Sequence, residues 1–164
     1  MIENGEVITK KREEFIDFVN QQPSYFEKLE LVYDKSIISP QRLAQYAEEE
    51  VVAGMTLVGP HRDDFVVQTR NSKSEIRNLS IFGSRGEQRT AVFCLKLAEM
   101  EFITQKTGQR PLLLLDDIFS ELDHQRRKRL LEVIPRQQTI ITTTDFHLIE
   151  IEVRKKMEVI NLRI

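Results

Sequence analysis

The chain has 164 residues, of which 40% are hydrophobic and 30% are charged, and its formal net charge is −2. These values are typical of one globular domain with a real core, and they argue against a disordered, fibrous or strongly basic chain. A single cysteine, Cys94, excludes an intrachain disulfide and is predicted to be a packed core thiol. No apolar run approaches the roughly 20 residues of a membrane span. We therefore expect a cytoplasmic protein without a membrane partner.

The first part of the chain is predicted to be mainly helical. The predicted elements are a frayed or extended start at residues 1–9, a helix over 10–20, a short strand over 29–33 and a helix from Pro40 to about Val52. Pro40 suits the first turn of its helix, and Gly54 is expected to end it.

Residues 56–69 are predicted to form two short strands around a tight turn at Gly59 and Pro60. Four ionisable residues follow this turn: His61, Arg62, Asp63 and Asp64. Composition alone favours a solvated hairpin loop with local ion pairs, each worth about 0–1 kcal/mol. A metal site is disfavoured because these side chains are too close in sequence to converge from one loop. A short strand is predicted near residues 75–77, within polar turn material.

The stretch FGSRGEQR, residues 82–89, contains Ser84 followed three residues later by Glu87, which is a capping-box pattern. A helix is therefore expected to begin after Ser84 and to end at Gly108. Its predicted buried face consists of Val92, Leu95, Ala98 and Phe102. A helix start of this kind can be a plain cap or a site for an anion such as phosphate, because its N–H groups and dipole face the same way.

Four leucines at residues 112–115 predict a strand buried on both faces, and Asp116 and Asp117 follow it. Open α/β sheets bind ligands at the carboxyl ends of their strands, and Mg²⁺ takes one or two carboxylates there. The alternative is a strand end with two solvated acids. If one face lacked its cover, an apolar patch and aggregation would be expected.

Helices and strands are predicted to alternate after the leucine strand. The predicted elements are a helix over 123–134, a strand over 138–142, a helix over 147–155 and a strand over 157–162. The four basic residues at 126–129 are interpreted as a solvated helix face. The 138–142 strand is expected to end beside the leucine strand. This alternation is typical of an α/β fold with a parallel sheet.

Five short motifs together carry a family resemblance. SRGEQR, LLLLDD, SELD and TTTD, in this order and spacing, resemble the carboxyl-terminal half of an ABC-type ATPase head. GPHRDD, together with TTTD, is similar to the RecF family of DNA recombination and repair proteins. The resemblance implies an α/β fold in which residues 54–164 form the carboxyl-terminal part of a P-loop NTPase head, with parallel strands and flanking helices. Residues 1–53 would be the end of a helical arm.

The resemblance also implies roles for the two carboxylates after the leucine strand. Asp116 is similar to the Walker B aspartate, which holds Mg²⁺ through water. Asp117 takes the place of the carboxylate that orients and activates the attacking water. ABC proteins usually have Glu at that position, and RecF-like sequences have Asp.

Ser84, Gly86 and Gln88 fall in the signature motif, which reaches in trans to the γ-phosphate of ATP bound on the other subunit of a homodimer. Glu87 stands where RecF-like sequences often have Gln, and it would add a negative charge near phosphate.

Three further residues match motifs at the dimer seam and the switch region. Asp123 matches the end of the D-loop, and Thr144 and Asp145 occupy the switch region, without the His that many ABC heads use there. For the loop residues His61, Arg62 and Asp63 the resemblance raises the expectation of function but assigns no chemical step.

The sequence lacks the phosphate-binding pattern G-x-x-x-x-G-K-[ST]. We therefore expect a carboxyl-terminal portion of a longer RecF-like protein, which with ATP and Mg²⁺ would form an ATP-dependent homodimer on single-stranded or gapped duplex DNA. Partners of the RecO and RecR kind are expected as well. The alternative is a non-catalytic interaction module, or a remnant, that docks on a separate ATPase half. In either case the chain alone should bind ATP feebly.

Overall fold

A computed structural model describes residues 2–22, 29–70 and 76–162. The helices are α1 (Ile2–Gln21), α2 (Pro40–Ala53), α3 (Leu79–Phe82), α4 (Arg85–Thr107), α5 (Ile118–Glu121), α6 (His124–Val133) and α7 (Ile151–Arg154). The strands are β1 (Leu29–Asp34), β2 (Asp64–Arg70), β3 (Ile76–Asn78), β4 (Leu113–Asp116) and β5 (Thr139–Thr142). No helix in these ranges is both long enough and apolar enough to cross a membrane.

The chain divides into two compact units, residues 1–102 and 103–164, with the boundary inside α4. The boundary predicted from the sequence lies between residues 53 and 54 instead. That position does not separate the units, because β1 precedes it and pairs with β2, which follows it. Pairing between strands distant in sequence leaves no signal in local composition. The assignment of residues 1–53 to an arm stays a prediction.

Unit one contains an antiparallel sheet in the order β1-β2-β3. The register pairs Leu29 with Thr69 and Asp34 with Asp64. The predicted β1 is confirmed, but the predicted hairpin around Gly59 is wrong, since no strand forms over residues 56–58. The backbone there is bonded to side chains instead: the N–H of Leu57 donates to Glu50 at 2.7 Å.

Helix α1 begins at Ile2, so the frayed or extended start predicted for residues 1–9 is wrong over residues 2–9, and residue 1 lies outside the described residues. The reason is tertiary packing. Gly5 is buried, and a Cβ at its position would lie 2.6 Å from Ile38. The second half of the helix behaves as predicted, because Val19 joins Leu31 and Ala98 in a buried cluster.

The ends of α2 and α4 are confirmed. The Ser39 side chain accepts a hydrogen bond from the N–H of Arg42 at the start of α2, and Gly54 ends that helix in the left-handed conformation with φ 63°. Gly108 follows α4 with φ 72°. Only glycine adopts this conformation without a steric cost, so the two glycines act as C-caps.

The buried face of α4 differs in part from the prediction. Val92 is 59% exposed, whereas Ala98 is buried as expected. The buried residues of the helix are Thr90, Ala91, Phe93, Cys94, Leu97, Ala98 and Met100. Several apolar faces were compatible with the helical period, and packing selected the one that contains Phe93 and Leu97. Cys94 is a buried thiol that forms no disulfide, as predicted.

Unit two is built on the parallel pair β4 and β5, which α5 and α6 connect. Leu113 pairs with Thr139, and Asp116 pairs with Thr142, so both strands end together as predicted. The expectation that the leucine strand is buried on both faces is wrong. Leu115 is 7% exposed and Leu114 65%, because side chains alternate along a strand and one face has no cover among the described residues.

The end of the chain differs most from the prediction. The helix expected over residues 147–155 is divided into a 3₁₀ turn, Phe146–Leu148, and the short α7, with the buried Ile149 between them. Residues 157–162 form no strand, since they pair with none of the strands described. An apolar sequence becomes a strand only where a sheet edge is available for its backbone hydrogen bonds.

Candidate functional site

The strongest candidate site lies in unit two, where β4 and β5 end side by side. Asp116 is the last residue of β4, and Thr142 is its partner at the end of β5. The hydroxyl of Thr142 donates to Oδ1 of Asp116 at 2.5 Å. Both side chains are exposed, so the carboxylate is fixed by a neighbour and still open to solvent.

Asp117 has an unusual backbone conformation, with φ 44° and ψ 24°, which non-glycine residues rarely adopt. Its N–H donates to the carbonyl of Thr142 at 3.1 Å and also lies 3.2 Å from the Thr142 hydroxyl. The hydroxyl of Ser120 is 2.8 Å from the Asp117 carbonyl and 3.0 Å from its Oδ2. The other oxygen, Oδ1, is buried and has no hydrogen-bond partner. A buried carboxylate oxygen without a donor is costly unless a ligand or water supplies one.

These two carboxylates fit a magnesium–nucleotide site better than a protein-only metal site. Among the described residues, no group of three or more His, Cys, Asp or Glu side chains could hold a metal ion. Mg²⁺ does not need such a group, because it keeps several waters and binds one or two carboxylates plus substrate phosphates. The exposed carboxylate of Asp116 meets that requirement.

The remaining candidates of unit two have structural contacts. The carbonyl of Asp123, the residue before α6, accepts the N–H of Arg127 in the first turn of that helix. The carboxylate of Asp145 accepts the N–H of His147 at 2.8 Å and caps the 3₁₀ turn. Thr144 is exposed in the segment after β5. These contacts explain the local fold, and the D-loop and switch roles stay predictions.

The start of α4 in unit one is a reciprocal capping box, as predicted. The N–H of Ser84 donates to Oε2 of Glu87 at 2.7 Å, and the N–H of Glu87 lies 3.3 Å from the Ser84 hydroxyl. Gly86 is exposed, and a Cβ there would meet nothing within 4 Å. The side chain of Gln88 donates to the carbonyl of Leu79 at 2.9 Å, so this amide holds the chain before the helix.

Arg77 is a neighbour of this helix start that sequence reasoning missed. Its guanidinium donates to the carbonyl of Phe82 at 2.6 Å and lies 3.8 Å from Oε1 of Glu87. The charge of Glu87, which was expected to oppose phosphate, is therefore balanced in part by a cation. Arg77 is on β3, seven residues before Ser84, and no local pattern points to it.

The GPHRDD loop forms a 3₁₀ turn, Pro60–Arg62, after Gly59, which has φ 126°. His61 and Arg62 are exposed, and His61 Nε2 and Arg62 Nε lie 2.9 Å and 3.1 Å from the carbonyl oxygen of Thr56. Their contacts fold the loop onto its own backbone. The prediction of a solvated loop is correct for these two residues.

Asp63 is the exception in this loop, because its side chain is only 2% exposed. Oδ2 accepts from Arg12 at 2.8 Å and from the hydroxyl of Tyr33, and Oδ1 accepts the N–H of Ser36 at 2.8 Å. The carboxylate thus joins α1, β1 and the loop. No local sequence pattern indicates these partners, since they lie 27 to 51 residues away.

Burial and hydrogen bonding act in opposite directions on this cluster. Burial opposes ionisation of Asp63, but the hydrogen bonds from Tyr33, from the Ser36 N–H and from Arg12 outweigh it and lower the pKa of the carboxyl group. Burial, followed by the hydrogen bond to Asp63, raises the pKa of Tyr33. The bond to Asp63 is also the main reason why the pKa of Arg12 is raised. Asp63 is therefore a buried, ionised and fully hydrogen-bonded carboxylate.

Comparison with known proteins gives the same family that the motifs indicated. No family model matches the chain. The DNA replication and repair protein RecF of Bacillus cytotoxicus is 36% identical over 99% of the chain. Two solved structures of the recombination mediator protein RecF in the RecFOR pathway, designated RecF-ATPrS and RecF-ATP, superpose with TM-scores of 0.72 and 0.70 at 32% identity.

The match covers almost all of this chain but only part of these proteins. The superpositions include 91% and 88% of the chain, and 44% and 43% of the solved structures. The chain spans 48% of the length of the Bacillus protein, about half. In sequence and in fold, the chain is therefore RecF-like and corresponds to a carboxyl-terminal portion of RecF.

Proposed function

We propose that this chain supplies the Walker B carboxylates and the signature-motif helix of a RecF-like ATPase that acts in DNA recombination and repair. The observation that carries the proposal is the pair Asp116 and Asp117 at the joint end of two parallel strands, with one buried carboxylate oxygen that has no partner. The similarity to RecF supports the nucleotide as the ligand, since one of the solved structures is designated RecF-ATP.

In this proposal the two carboxylates have different roles because their environments differ. Asp116 is exposed and oriented by Thr142, so it would hold hydrated Mg²⁺. The buried Oδ1 of Asp117 would accept a hydrogen bond from the attacking water and orient it. Bound Mg²⁺ would neutralise negative charge on the phosphate oxygens.

The signature-motif residues would act in trans, across an ATP-dependent homodimer. In the capping box the Ser84 hydroxyl is an acceptor, so its proton can be donated to a phosphate oxygen. The first turn of α4 adds N–H groups and the positive end of the helix dipole. The absence of a side chain at Gly86 lets the phosphate approach the backbone. Arg77 would reduce the repulsion that Glu87 exerts on phosphate. Gln88 would act indirectly, by holding the chain before the helix.

The proposed partners follow from the proteins that the chain resembles. The similar structures are of a recombination mediator protein in the RecFOR pathway, which supports partners of the RecO and RecR kind. The proposed nucleic acid is single-stranded or gapped duplex DNA. ATP would close the homodimer on DNA, and hydrolysis would reopen it.

The Asp117→Asn substitution tests the catalytic part of the proposal. The chain would be joined to the amino-terminal portion of a RecF relative, so that a phosphate-binding loop is present. Loss of the general base should slow ATP hydrolysis about 100-fold or more, while ATP-driven dimerisation, measured by sedimentation, is unchanged. Asp34→Asn, at the exposed end of β1, is the control and should change neither. Equal loss of hydrolysis and dimerisation would count against the assigned role.

The second candidate is an interaction module that docks on a separate polypeptide carrying the phosphate-binding loop. The observation that favours it is the exposed apolar face of β4 and β5, which includes Leu114 and Ile140. Calorimetry with the unmodified chain tests a premise that both candidates share, because tight binding of ATP by the chain alone would contradict both.

A further inference from the structure

The hydroxyl of Thr142 lies between the two carboxylate residues of the candidate site. It donates to Oδ1 of Asp116 at 2.5 Å, and it is 3.2 Å from the N–H of Asp117. Strand register explains the position, since Thr142 is the cross-strand partner of Asp116 in the parallel pair. One hydroxyl therefore contacts the side chain of the first acid and the backbone of the second.

A hydroxyl can make both contacts at this position through a single oxygen atom. As a donor it makes a charge-assisted bond, which is short and about twice as strong as a neutral one. As an acceptor it helps to hold the N–H of Asp117, whose left-handed backbone is unfavourable for a residue with a Cβ. Thr142 also suits the task because a β-branched side chain on a strand has few rotamers. Valine has the same shape but can neither donate nor accept.

We propose that Thr142 is a positioning residue for the magnesium and water sites. It would hold Asp116 in one rotamer, with an oxygen directed to the hydrated cation, and would keep Asp117 in the backbone conformation that buries its Oδ1. The inference rests on the proposed function, because it gives Asp116 and Asp117 the roles described above. It adds Thr142, the first residue of the TTTD motif, to which the resemblance assigned no role.

The rotamer of Asp116 gives a measurement that does not depend on activity or on a metal. In the full chain, the three-bond couplings from the Asp116 Cγ to its backbone N and C′ report χ1. A single rotamer is expected in the unmodified protein and in Thr142→Ser, which keeps the hydroxyl. Averaged couplings are expected in Thr142→Val. The fold should survive in Thr142→Val, because the N–H of Asp117 still donates a hydrogen bond to the backbone carbonyl of residue 142. If amide spectra show otherwise, Thr142→Ala is measured instead.

Binding of Mn²⁺, followed by paramagnetic broadening of the Asp116 and Asp117 amides, gives the second measurement. Loss of an outer-shell hydrogen bond typically weakens metal affinity about 10- to 100-fold, so about 10-fold weaker binding is expected for Thr142→Val, with recovery in Thr142→Ser. Thr139→Val is the matched control, because it removes a hydroxyl from the opposite end of the same strand, where that hydroxyl is near the carbonyls of Ile134 and Gln137.

The two measurements distinguish the possible failures. Unchanged couplings in Thr142→Val would overturn the inference, whatever the cation affinity. If the couplings change in Thr142→Val but Mn²⁺ causes no broadening at Asp116 in the unmodified chain, then the proposed cation site is wrong. The positioning role of Thr142 at that site is then wrong as well. If Thr139→Val changes the couplings and the cation affinity as much as Thr142→Val does, the effect of Thr142 is a general effect on strand stability. That result would also overturn the inference.

Discussion

The structural role of Asp63, a single residue in a short motif, depends on partners that are distant in the sequence. Within GPHRDD it looks like one of several surface charges, whereas in the fold it is buried and accepts bonds from Arg12, Tyr33 and the backbone of Ser36. Such a carboxylate stabilises the fold as long as all its donors are present. Removal of its charge leaves the donors without an acceptor of equal strength.

We expect Asp63→Asn to lower the free energy of unfolding by about 2 kcal/mol at pH 7, a value reduced from that of a fully buried pair because Arg12 is 45% exposed. The pH dependence follows from the lowered pKa of Asp63. Its stabilisation is fully present above the ordinary value of 3.8 and is lost as the pH falls through the lower folded-state pKa.

Urea unfolding of both proteins between pH 7 and pH 3 measures this contribution. The difference between Asp63→Asn and the unmodified chain should shrink below a pH of about 4. The matched control is Asp64→Asn, because Asp64 is the next residue and is exposed, and its effect should stay within about 0.5 kcal/mol. A difference that is the same at pH 7 and pH 3 would exclude ionisation of Asp63 as the cause.

At the scale of the element, the start of α4 combines good caps with one poor helix residue. Ser84 and Glu87 satisfy each other's N–H groups, which favours the helix. Gly86 does not favour the helix, because the flexible backbone of glycine lowers helix stability. Its position also has room for a Cβ. Nothing in the described structure requires glycine there. A residue that costs stability without a structural reason is consistent with a site where a ligand approaches the backbone.

We expect Gly86→Ala to raise the free energy of unfolding by about 0.5 kcal/mol, since alanine is the better helix residue and the site is open. In the chain joined to the amino-terminal portion of a RecF relative, the same substitution should weaken ATP-driven dimerisation.

Gly54→Ala is the control for the glycine substitution, because Gly54 also has space for a Cβ but has φ 63°. It should lower stability by about 1 kcal/mol and leave dimerisation unchanged. If Gly86→Ala leaves ATP-driven dimerisation as strong as before, the signature-motif role of this glycine is wrong.

At the scale of the whole molecule, unit two has a sheet with one buried face and one exposed face. Leu115 is 7% exposed, whereas Leu112, Leu114 and Ile140 are 48%, 65% and 52% exposed. An apolar patch was expected if one face of the leucine strand lacked its cover, and the described part of the chain has such a patch. Such a patch promotes association with another surface or with further copies of the chain.

Neighbouring leucines on β4 allow the two faces to be compared directly. Leu114→Thr should reduce self-association in sedimentation experiments and change the free energy of unfolding by less than about 1 kcal/mol, because the side chain is exposed and threonine favours strands. Leu115→Ala should destabilise the protein by about 2–4 kcal/mol, because it leaves a cavity. Unchanged self-association in Leu114→Thr would show that this face does not cause it.

The sequence alone determined the features that depend on local chemistry. The capping box at Ser84, the C-cap glycines and the two acids after a leucine strand follow from neighbours within a few residues, and all were predicted in place. The order of the motifs also identified the RecF-like character that the comparisons confirm.

Only the tertiary structure decided features that depend on contacts between distant segments. It paired β1 with β2 across residue 53, selected the buried face of α4, gave Asp63 the partners Arg12 and Tyr33, and left residues 157–162 without a strand partner. The same register placed the Thr142 hydroxyl on Asp116. The physical reason is common to all of them. Burial and pairing are properties of two segments together, and the periodicity of one segment contains no information about the other.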